Sequence, residues 1–384
     1  MGSSADIAGN EYEVIVIGAG LAGLATASEL VSRGYSSVLV LEQERFAGLH
    51  SSGKNAGLVR QAAEDGSTTR LCVRGAELIR RWSDAEKGLH EQTGSLILSA
   101  ADQVALESWS QVDHRRMTES EVRRLYPQLQ DWPGGEARFT PGDGVVDVPR
   151  LLGLLIDRIQ SGGGQLCFGV TAGSVRIDSP GRFEIEVLRA DSGIGSEIDI
   201  ARCRQIVVAN GAWAKEFAES SQLPISLVVT NRGCLLTDVG NFSAGTQPWI
   251  WAHTPGWYLR DHEGGLLWSS CEEEVAAAGD CQLAQDLETR WRSITNPYWG
   301  DGIGGLKVLR GWIGQRTFIP DRRFLLGEDP RCQGWFWAVG LGGHGVTSSL
   351  AVGEEVANSI QGKALSPDWI WAENRIDQHA HGFS

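Results

Sequence analysis

The stretch Glu11-Tyr-Glu-Val-Ile-Val-Ile-Gly-Ala-Gly-Leu-Ala-Gly23 constrains the fold more than any other part of the chain. Val14, Ile15, Val16 and Ile17 form an unbroken apolar run, the pattern of a parallel strand buried on both faces. The run ends in Gly18-Ala19-Gly20-Leu21-Ala22-Gly23, a G-x-G-x-x-G. Leu21 to Arg33 then predicts a helix rich in Ala and Leu, closed by Gly34 at the C′ position. Ser37 to Leu41 predicts a second apolar strand with Glu42 at its end. Each glycine has a physical task. Gly18 permits the tight turn, Gly20 lets the backbone approach a pyrophosphate, and Gly23 lets helix and strand pack closely. The helix start at Leu21 and Ala22 turns unpaired N–H groups and the positive dipole end toward the phosphates. Glu42, about 20 residues further on, is placed to accept from a ribose hydroxyl. Any tight strand-to-helix turn can select the glycines alone. Strand, glycines, helix, strand and acid in register point to a dinucleotide, and the acid favours FAD or NAD over NADP.

The rest of the composition narrows the class. A chain of 384 residues exceeds one ordinary domain and predicts two, interleaved. Apolar residues make up 42% and charged residues 21%, which fits a globular protein with a sizeable core. A formal net charge of −14 argues against nucleic acid or an anionic membrane as partner. No apolar run reaches the roughly 18 residues of a membrane span, and no basic-then-apolar leader opens the chain. The seven cysteines are scattered without a C-x-x-C. That pattern predicts reduced thiols in a cytoplasmic protein, with neither a disulfide framework nor a metal site.

Further along, His50-Ser51-Ser52 predicts a loop running into a helix start, with either serine able to cap. Helices are expected over 67–89, 118–126, 150–159 and 281–295, and strands over 94–100, 165–170, 175–177 and 183–188. Residues 205–209 predict another buried parallel strand. Short strands between turn residues over 226–270 predict an antiparallel sheet. Gly334 to Gly340 is a last apolar strand, followed by a Gly-rich turn and a helix to about Ile360. Nucleotide-type parallel elements thus lie at both ends and twice in the middle. One α/β domain interrupted by a second sheet domain is the expected organisation. No second G-x-G-x-x-G follows a strand, which argues against a dedicated NAD(P)H site.

Several segments, taken in order, resemble the D-amino-acid oxidase/sarcosine oxidase/glycine oxidase superfamily of FAD-dependent oxidoreductases, and within it most nearly the D-arginine dehydrogenases. They are Gly18 to Gly23 with Glu42, His50-Ser-Ser-Gly53, Gly144-Val-Val-Asp-Val-Pro149, Val208-Ala-Asn-Gly-Ala-Trp213, Gly314-Gln-Arg-Thr-Phe-Ile-Pro-Asp321 and Gly334 to Gly345. The resemblance implies a Rossmann-type, glutathione-reductase-like FAD-binding domain (11–90, 141–222 and 312–375). This would be interleaved with a mixed or antiparallel-sheet substrate domain (91–140 and 223–311), with the flavin at their interface. Gly314 stands where the sarcosine oxidases carry their flavin-attaching cysteine, which implies noncovalent FAD. The implied cofactor-binding residues are Gly18, Gly20, Leu21, Ala22, Gly23, Glu42, Gln43, His50, Ser51, Ser52, Val170, Gly211, Trp213 and Arg316, with Gly342, Gly343, His344, Gly345, Val346 and Thr347 wrapping the flavin.

For the substrate, the resemblance places Arg232, Tyr258 and Arg316 on a carboxylate, which suits the bidentate guanidinium fork and a phenol donor. His344 stands where the sarcosine oxidases have a histidine and would help polarise the substrate. Arg60 and Lys54 are weaker candidates. Ser95 occupies the position of a glutamate that D-arginine dehydrogenase keeps for a guanidinium, and that enzyme's loop histidine and tyrosine fall near Leu58 and Ala63. A buried cation without a carboxylate is costly. The expected substrate is therefore an amino acid or amine, D- or cyclic/secondary, with an apolar rather than cationic side chain. Trp249, Trp251, Trp257 and Trp268, among fifteen tryptophans, either line the cleft or pack the sheet core. The implied reaction is hydride transfer from the α-carbon to flavin N5, giving an imine that hydrolyses to a 2-oxo acid, with oxygen or another acceptor reoxidising the flavin. Two alternatives stand beside it. One is an FAD-dependent 2-hydroxy-acid dehydrogenase, since His50-Ser-Ser-Gly-Lys-Asn-Ala-Gly57 also resembles the L-2-hydroxyglutarate oxidising enzymes. The other is a catalytically inactive flavin-binding subunit.

Overall fold

The computed structural model describes residue 7 and residues 10–363, except 99–103, 130, 180, 190–197, 241 and 243–246. The chain forms two compact units. One takes the described residues of Met1–Gly53, Val148–Val229 and Arg316–Ser384, the other those of Lys54–Asp147 and Thr230–Gln315.

The first unit opens with β1 (Glu11–Ile17), α1 (Leu21–Ser32) and β2 (Val38–Glu42). β1 and β2 pair in parallel, Val14 beside Val38 and Ile17 beside Leu41, and all of β2 is buried. α1 ends where Gly34 takes φ +92°, a conformation without cost only for glycine. The chain then enters the second unit through β3 (Leu58–Val59), α2 (Gly66–Ala85), β4 (His90–Glu91), β5 (Ser95–Leu98), α3 (Leu106–Ser110), β6 (Arg115–Met117), α4 (Glu119–Leu125), β7 (Ala137–Thr140) and β8 (Gly144–Val146). Asp65 caps α2 by accepting from the N–H groups of Ser67 and Thr68, both at 3.0 Å. Thr118 and Glu121 form a capping box on α4.

Back in the first unit come α5 (Val148–Ser161), β9 (Gln165–Phe168), β10 (Val170–Ser179), β11 (Arg182–Arg189), β12 (Ile198–Val208) and α6 (Ala214–Ser220). The second unit resumes within β13 (Val228–Thr237), continues through β14 (Trp249–Ala252), β15 (Trp257–His262), β16 (Gly265–Ser269), β17 (Glu274–Val275), α7 (Leu287–Trp299) and α8 (Asp301–Gly304), and ends within β18 (Val308–Phe318), whose residues from Arg316 on belong to the first unit. β19 (Leu325–Glu328), β20 (Trp335–Val339) and α9 (Gly345–Ile360) finish the first unit.

In the first unit β9, β2, β1, β12 and β20 run parallel in that spatial order, with β19 antiparallel at the β20 edge. The first half of β12 pairs antiparallel with β11, and β11 with β10. α1 packs against both α5 and α9. The second unit holds a nine-stranded sheet, β17-β13-β16-β15-β14-β5-β7-β6 with β18 beside β13, and a small sheet β3-β8-β4. In the larger sheet β14 and β5 pair in parallel, whereas β13 with β16 and β17, β15 with β14 and β16, and β7 with β5 and β6 pair antiparallel. The α/β class with an interleaved mixed sheet is the one expected.

Four expectations change. Residues 54–90 belong with the second unit, because β3 and β4 hydrogen-bond to β8 across more than 50 residues of chain, a pairing with no local signal. The same pairing moves the next boundary from 141 to Val148, and the later ones fall at Thr230 and Arg316 instead of 223 and 312. The helix expected over 281–295 runs Leu287–Trp299 and keeps Pro297 inside its last turns. No helix follows Ser51 or Ser52; residues 43–57 are turns. The expected strand end at 99–100 and the domain end at 364–375 lie outside the described residues. No helix among the described residues is long and apolar enough to cross a membrane.

Candidate functional site

Because β9, β2, β1, β12 and β20 are parallel, the loops that follow them emerge at one edge of the sheet, where open α/β sheets bind ligands. Gly18 follows β1 at φ +104°, and a Cβ there would lie 2.7 Å from the carbonyl oxygen of Ala209 after β12. At Gly23 a Cβ would come within 2.0 Å of the Gly18 carbonyl oxygen. No side chain fits at either position. At Gly20 a Cβ would stand 3.1 Å from Ser52 Oγ, and that same oxygen accepts from the Leu21 N–H at 3.0 Å. Ser52 therefore caps α1 from a distance. Ala22 and Gly23 are buried in the first turn of α1.

Glu42 ends β2 and is buried. Its Oε2 accepts from the Ala19 N–H at 2.7 Å and its Oε1 from the Glu44 N–H at 2.9 Å, so it pins the glycine loop to β2. Burial raises its pKa, and those two backbone hydrogen bonds work against the rise. Each oxygen retains a lone pair for a ribose hydroxyl. Gln43 follows, half-buried. His50 Nε2 lies 2.8 Å from Glu44 Oε1, and its ring meets Trp213 edge-on with centroids 4.4 Å apart. The His50 Nδ1 is buried without a hydrogen-bond partner among the described residues. Ser51 is half-buried. Val170, buried, follows Gly169, whose N–H donates to the Glu44 carbonyl at 2.9 Å. Gly211 takes φ +55° and opens the 3-10 turn that carries Trp213. After β20, Gly340 and Gly342 take φ +74° and +51°. The Gly342 N–H donates to the Thr317 carbonyl at 2.9 Å. α9 starts at Gly345 without a side-chain cap; Gly343 is exposed, Val346 half-buried, and His344 and Thr347 buried. The His344 ring lies 6.5 Å from Phe324. Arg316, on β18, is also buried. The structure thus gathers every expected cofactor residue in the first unit.

Arg232 and Tyr258 belong to the second unit. Tyr258 is opposite Trp251 on β14 and Ser269 on β16, and its hydroxyl lies 3.5 Å from Cys234 Sγ on β13. Arg232 is two residues before Cys234, so strand alternation puts it on the same face. It is 7% exposed, its Nη2 donates to Glu273 Oε1 at 2.8 Å, and its Nε is buried without a partner among the described residues. Burial opposes its charge, but nearby Cys271, Tyr258, Glu273 and Glu272 outweigh that and raise its pKa.

Around Tyr258 pack Ala56, Leu267, Leu58, Trp251, Cys271 and Trp312. The guanidinium of Arg60 lies 4.2 Å over the Trp251 ring and pairs with Glu64 at 2.7 Å. Trp257 and Trp268 face the other way, into a core with Trp291 and Trp299, and Trp249 is buried in a third cluster. Of the four tryptophans singled out by sequence, only Trp251 shares the face of Tyr258 as a half-buried ring. Ser95 is buried and donates to Asp143 Oδ2 at 2.7 Å. Sequence reasoning missed Asp143, Glu273 and Cys234. The acidic run Glu272-Glu-Glu274 beside Cys271 was the available signal for Glu273. Among the described residues no group of three or more His, Cys, Asp or Glu could hold a metal ion.

A family model described as "DAO: FAD dependent oxidoreductase" matches residues 13–359. Human mitochondrial sarcosine dehydrogenase is 24% identical over 396 residues, covering 96% of this chain and 40% of that protein. L-2-hydroxyglutarate dehydrogenase of Nematostella vectensis is 25% identical over 235 residues, 55% of this chain and 49% of that one. The chain thus spans two-fifths to half the length of these curated relatives. Among solved structures, L-proline dehydrogenase from P. horikoshii superposes with a TM-score of 0.81 at 23% identity, covering 93% of this chain and 96% of that one. Glycine oxidase from Geobacillus kaustophilus superposes at 0.79 with 20% identity, covering 96% and 99%. At these identities the two structures are evidence for the fold.

Proposed function

The chain belongs to the DAO family of FAD-dependent oxidoreductases, and on that premise we propose that it oxidises an amino acid or related amine at the carbon bearing nitrogen, with FAD bound noncovalently. The residues fit the cofactor. Gly18 and Gly23 form a turn closed to any side chain, Glu42 keeps acceptor capacity at the end of β2, and α9 opens uncapped behind a Gly-rich turn. Gly18, Gly20, Leu21, Ala22, Gly23 and Ser51 would hold the diphosphate, Glu42 and Gln43 the ribose, and His50, Ser52, Val170, Gly211, Trp213, Arg316 and Gly342 to Thr347 the remainder. When bound, FAD supplies a two-electron acceptor for a hydride from the substrate carbon.

The chain's own part is binding and orientation. Arg232, Tyr258 and Arg316 hold the substrate carboxylate by charge-assisted hydrogen bonds, which fix the substrate in one pose. The observation that carries this is the buried Arg232 with an unpartnered Nε on the face that bears the Tyr258 hydroxyl. The amine must lose its proton before its lone pair can drive hydride departure, so the rate rises with pH through that ionisation. His344 polarises the substrate; no obligatory protein base is required. The imine product hydrolyses in water to a 2-oxo acid and an amine or ammonia.

The side chain is apolar rather than cationic, and the amine is D- or cyclic/secondary. Leu58, Trp251, Leu267 and Trp312 around Tyr258 support an apolar side chain. Asp143, the carboxylate beside Ser95, is buried and already accepts from Ser95 and Gln61, so it is committed to this local network rather than set out for a substrate guanidinium. Sarcosine and proline, in the names of two relatives, are secondary amines. A second reading, oxidation of a 2-hydroxy acid, is favoured by the L-2-hydroxyglutarate dehydrogenase match.

Anaerobic mixing of the flavoprotein with D-, L-, N-methyl and cyclic amino acids and 2-hydroxy acids tests both. Bleaching by an amino acid supports the first reading, bleaching by hydroxy acids alone the second, and repetition in air identifies the acceptor. Arg316→Ala is expected to raise KM roughly 100-fold with FAD retained; unaltered kinetics would remove Arg316 from the site.

A further inference from the structure

The run Cys271-Glu-Glu-Glu274 has no part in the function above, yet every member of it is committed to holding β13 and its arginine. β17 pairs antiparallel with β13, Glu274 opposite Asn231 and Val275 opposite Thr230. Continuing that register by one residue sets Glu273 beside Arg232, the cross-strand neighbour position. On the other side of Glu273, Glu272 accepts from the Gly233 N–H with one oxygen and from Ser270 Oγ at 2.6 Å with the other. A Cβ at Gly233 would lie 2.3 Å from Glu272 Oε1 and 2.4 Å from Leu287 Cδ1, so a side chain there would push the Glu272 carboxylate aside. Ser269 Oγ donates to the Gly233 carbonyl at 2.7 Å and accepts from the Cys271 N–H at 3.2 Å. Cys271 itself takes φ +51°, a left-handed conformation that a non-glycine residue adopts at a cost. Glu274 pairs with Arg290 on α7. Glu273 is therefore pinned by backbone and side-chain bonds before and after it.

Its Oε1 accepts from Nη2 of Arg232, and the Nε of that guanidinium is buried without a partner among the described residues. A planar fork held at one end keeps fewer orientations than a free one. An unmet buried donor is destabilising, and an incoming carboxylate would remove that cost. We infer that Glu273 is a positioning residue for the substrate carboxylate: by holding Nη2 of Arg232 it turns the Nε edge toward the substrate. This rests on the reading of Arg232 as a carboxylate ligand. Glu273 is not a stand-in that the substrate must displace, because its neighbours on both sides fix it in place, and taking it away strands a buried cation.

The test uses the holoenzyme, with propionate as a carboxylate probe read by perturbation of the flavin spectrum. It also uses steady-state kinetics on the best amino acid of the panel and on its carboxamide. Glu273→Ala is expected to weaken propionate binding and raise KM about tenfold, with kcat within about threefold and the carboxamide unaffected. Glu273→Gln, which keeps an acceptor oxygen, should recover part of the loss and serves if the alanine variant does not fold. Tighter or unchanged propionate binding in both variants overturns the inference, as does an equal loss for the carboxamide. Arg232→Ala separates the two levels. If it weakens propionate and the Glu273 variants do not, only the inference falls. If Arg232→Ala is silent, or propionate leaves the unaltered spectrum unmoved, the carboxylate reading falls with it.

Discussion

Asp143 is 1% exposed, and its carboxylate accepts from Ser95 Oγ at 2.7 Å and from Gln61 N and Nε2, both at 3.0 Å. Burial still pushes its pKa up from an ordinary 3.8 to about 6, with those hydrogen bonds and Arg60 pulling the other way. A folded-state pKa above the unfolded one means that the native state prefers the protonated acid. The stabilising contribution is complete below about pH 4 and is lost as pH rises through about 6. Asp143→Asn, which keeps the neutral form, should therefore raise the unfolding free energy read from urea titration at pH 8, by at most about 3 kcal/mol, and lose that advantage at pH 4.5. An equal shift at both pH values would reject the account. Single residues were legible in the sequence where their role is local. Gly18, Gly23 and Glu42 were, because a strand-to-helix turn shows its sterics in consecutive positions. Asp143 and Glu273 were not, because each acts on a partner far along the chain, or across a strand pair whose register no motif announces.

At the scale of elements, β16 shows what local sequence can and cannot decide. The turn residues around it predict a short strand, but not which residues face the core. The register puts Trp268 opposite Leu235 and Leu259, in a cluster with Trp257, Trp291 and Trp299 at centroid distances of 6.5, 5.3 and 5.7 Å. Its Nε1 donates to Thr237 Oγ1 at 3.1 Å. Trp268→Leu should destabilise the protein by about 3 kcal/mol through cavity and hydrogen-bond loss, while the flavin spectrum at low temperature stays unaltered; a change confined to kinetics would put the ring in the site instead. β15 turns Tyr258 to the opposite face from Trp257 by the same alternation. The helix α7 extends past the expected stop at 295 despite Pro297, which lacks an N–H to donate, because Tyr298 and Trp299 beyond it are packed into the core.

For the whole molecule, the parallel order β9-β2-β1-β12-β20 brings to one edge loops from five separate stretches of chain, and all the expected cofactor residues lie in the unit that this sheet organises. Binding there is linked to folding. FAD at a hundredfold excess over its Kd should stabilise deflavo-protein by about 2.7 kcal/mol, seen as a Tm that climbs with FAD concentration. A Tm indifferent to added FAD would mean that the cradle does not hold the dinucleotide. The chain passes between the units after Gly53, Asp147, Val229 and Gln315. The first of these crossings was invisible in sequence, where nothing between residues 43 and 90 marks a boundary.

By itself the sequence determined the βαβ unit, the cofactor class and the family, because strand burial, glycine sterics and helix termination are settled within a few consecutive residues. The tertiary structure alone decided that Ser52 caps α1, that Trp251 parts company with Trp257 and Trp268, and that residues 54–90 join the second unit. Each of those depends on strand register or on contacts between distant segments. A shift of one residue in pairing would reverse every inward and outward side chain.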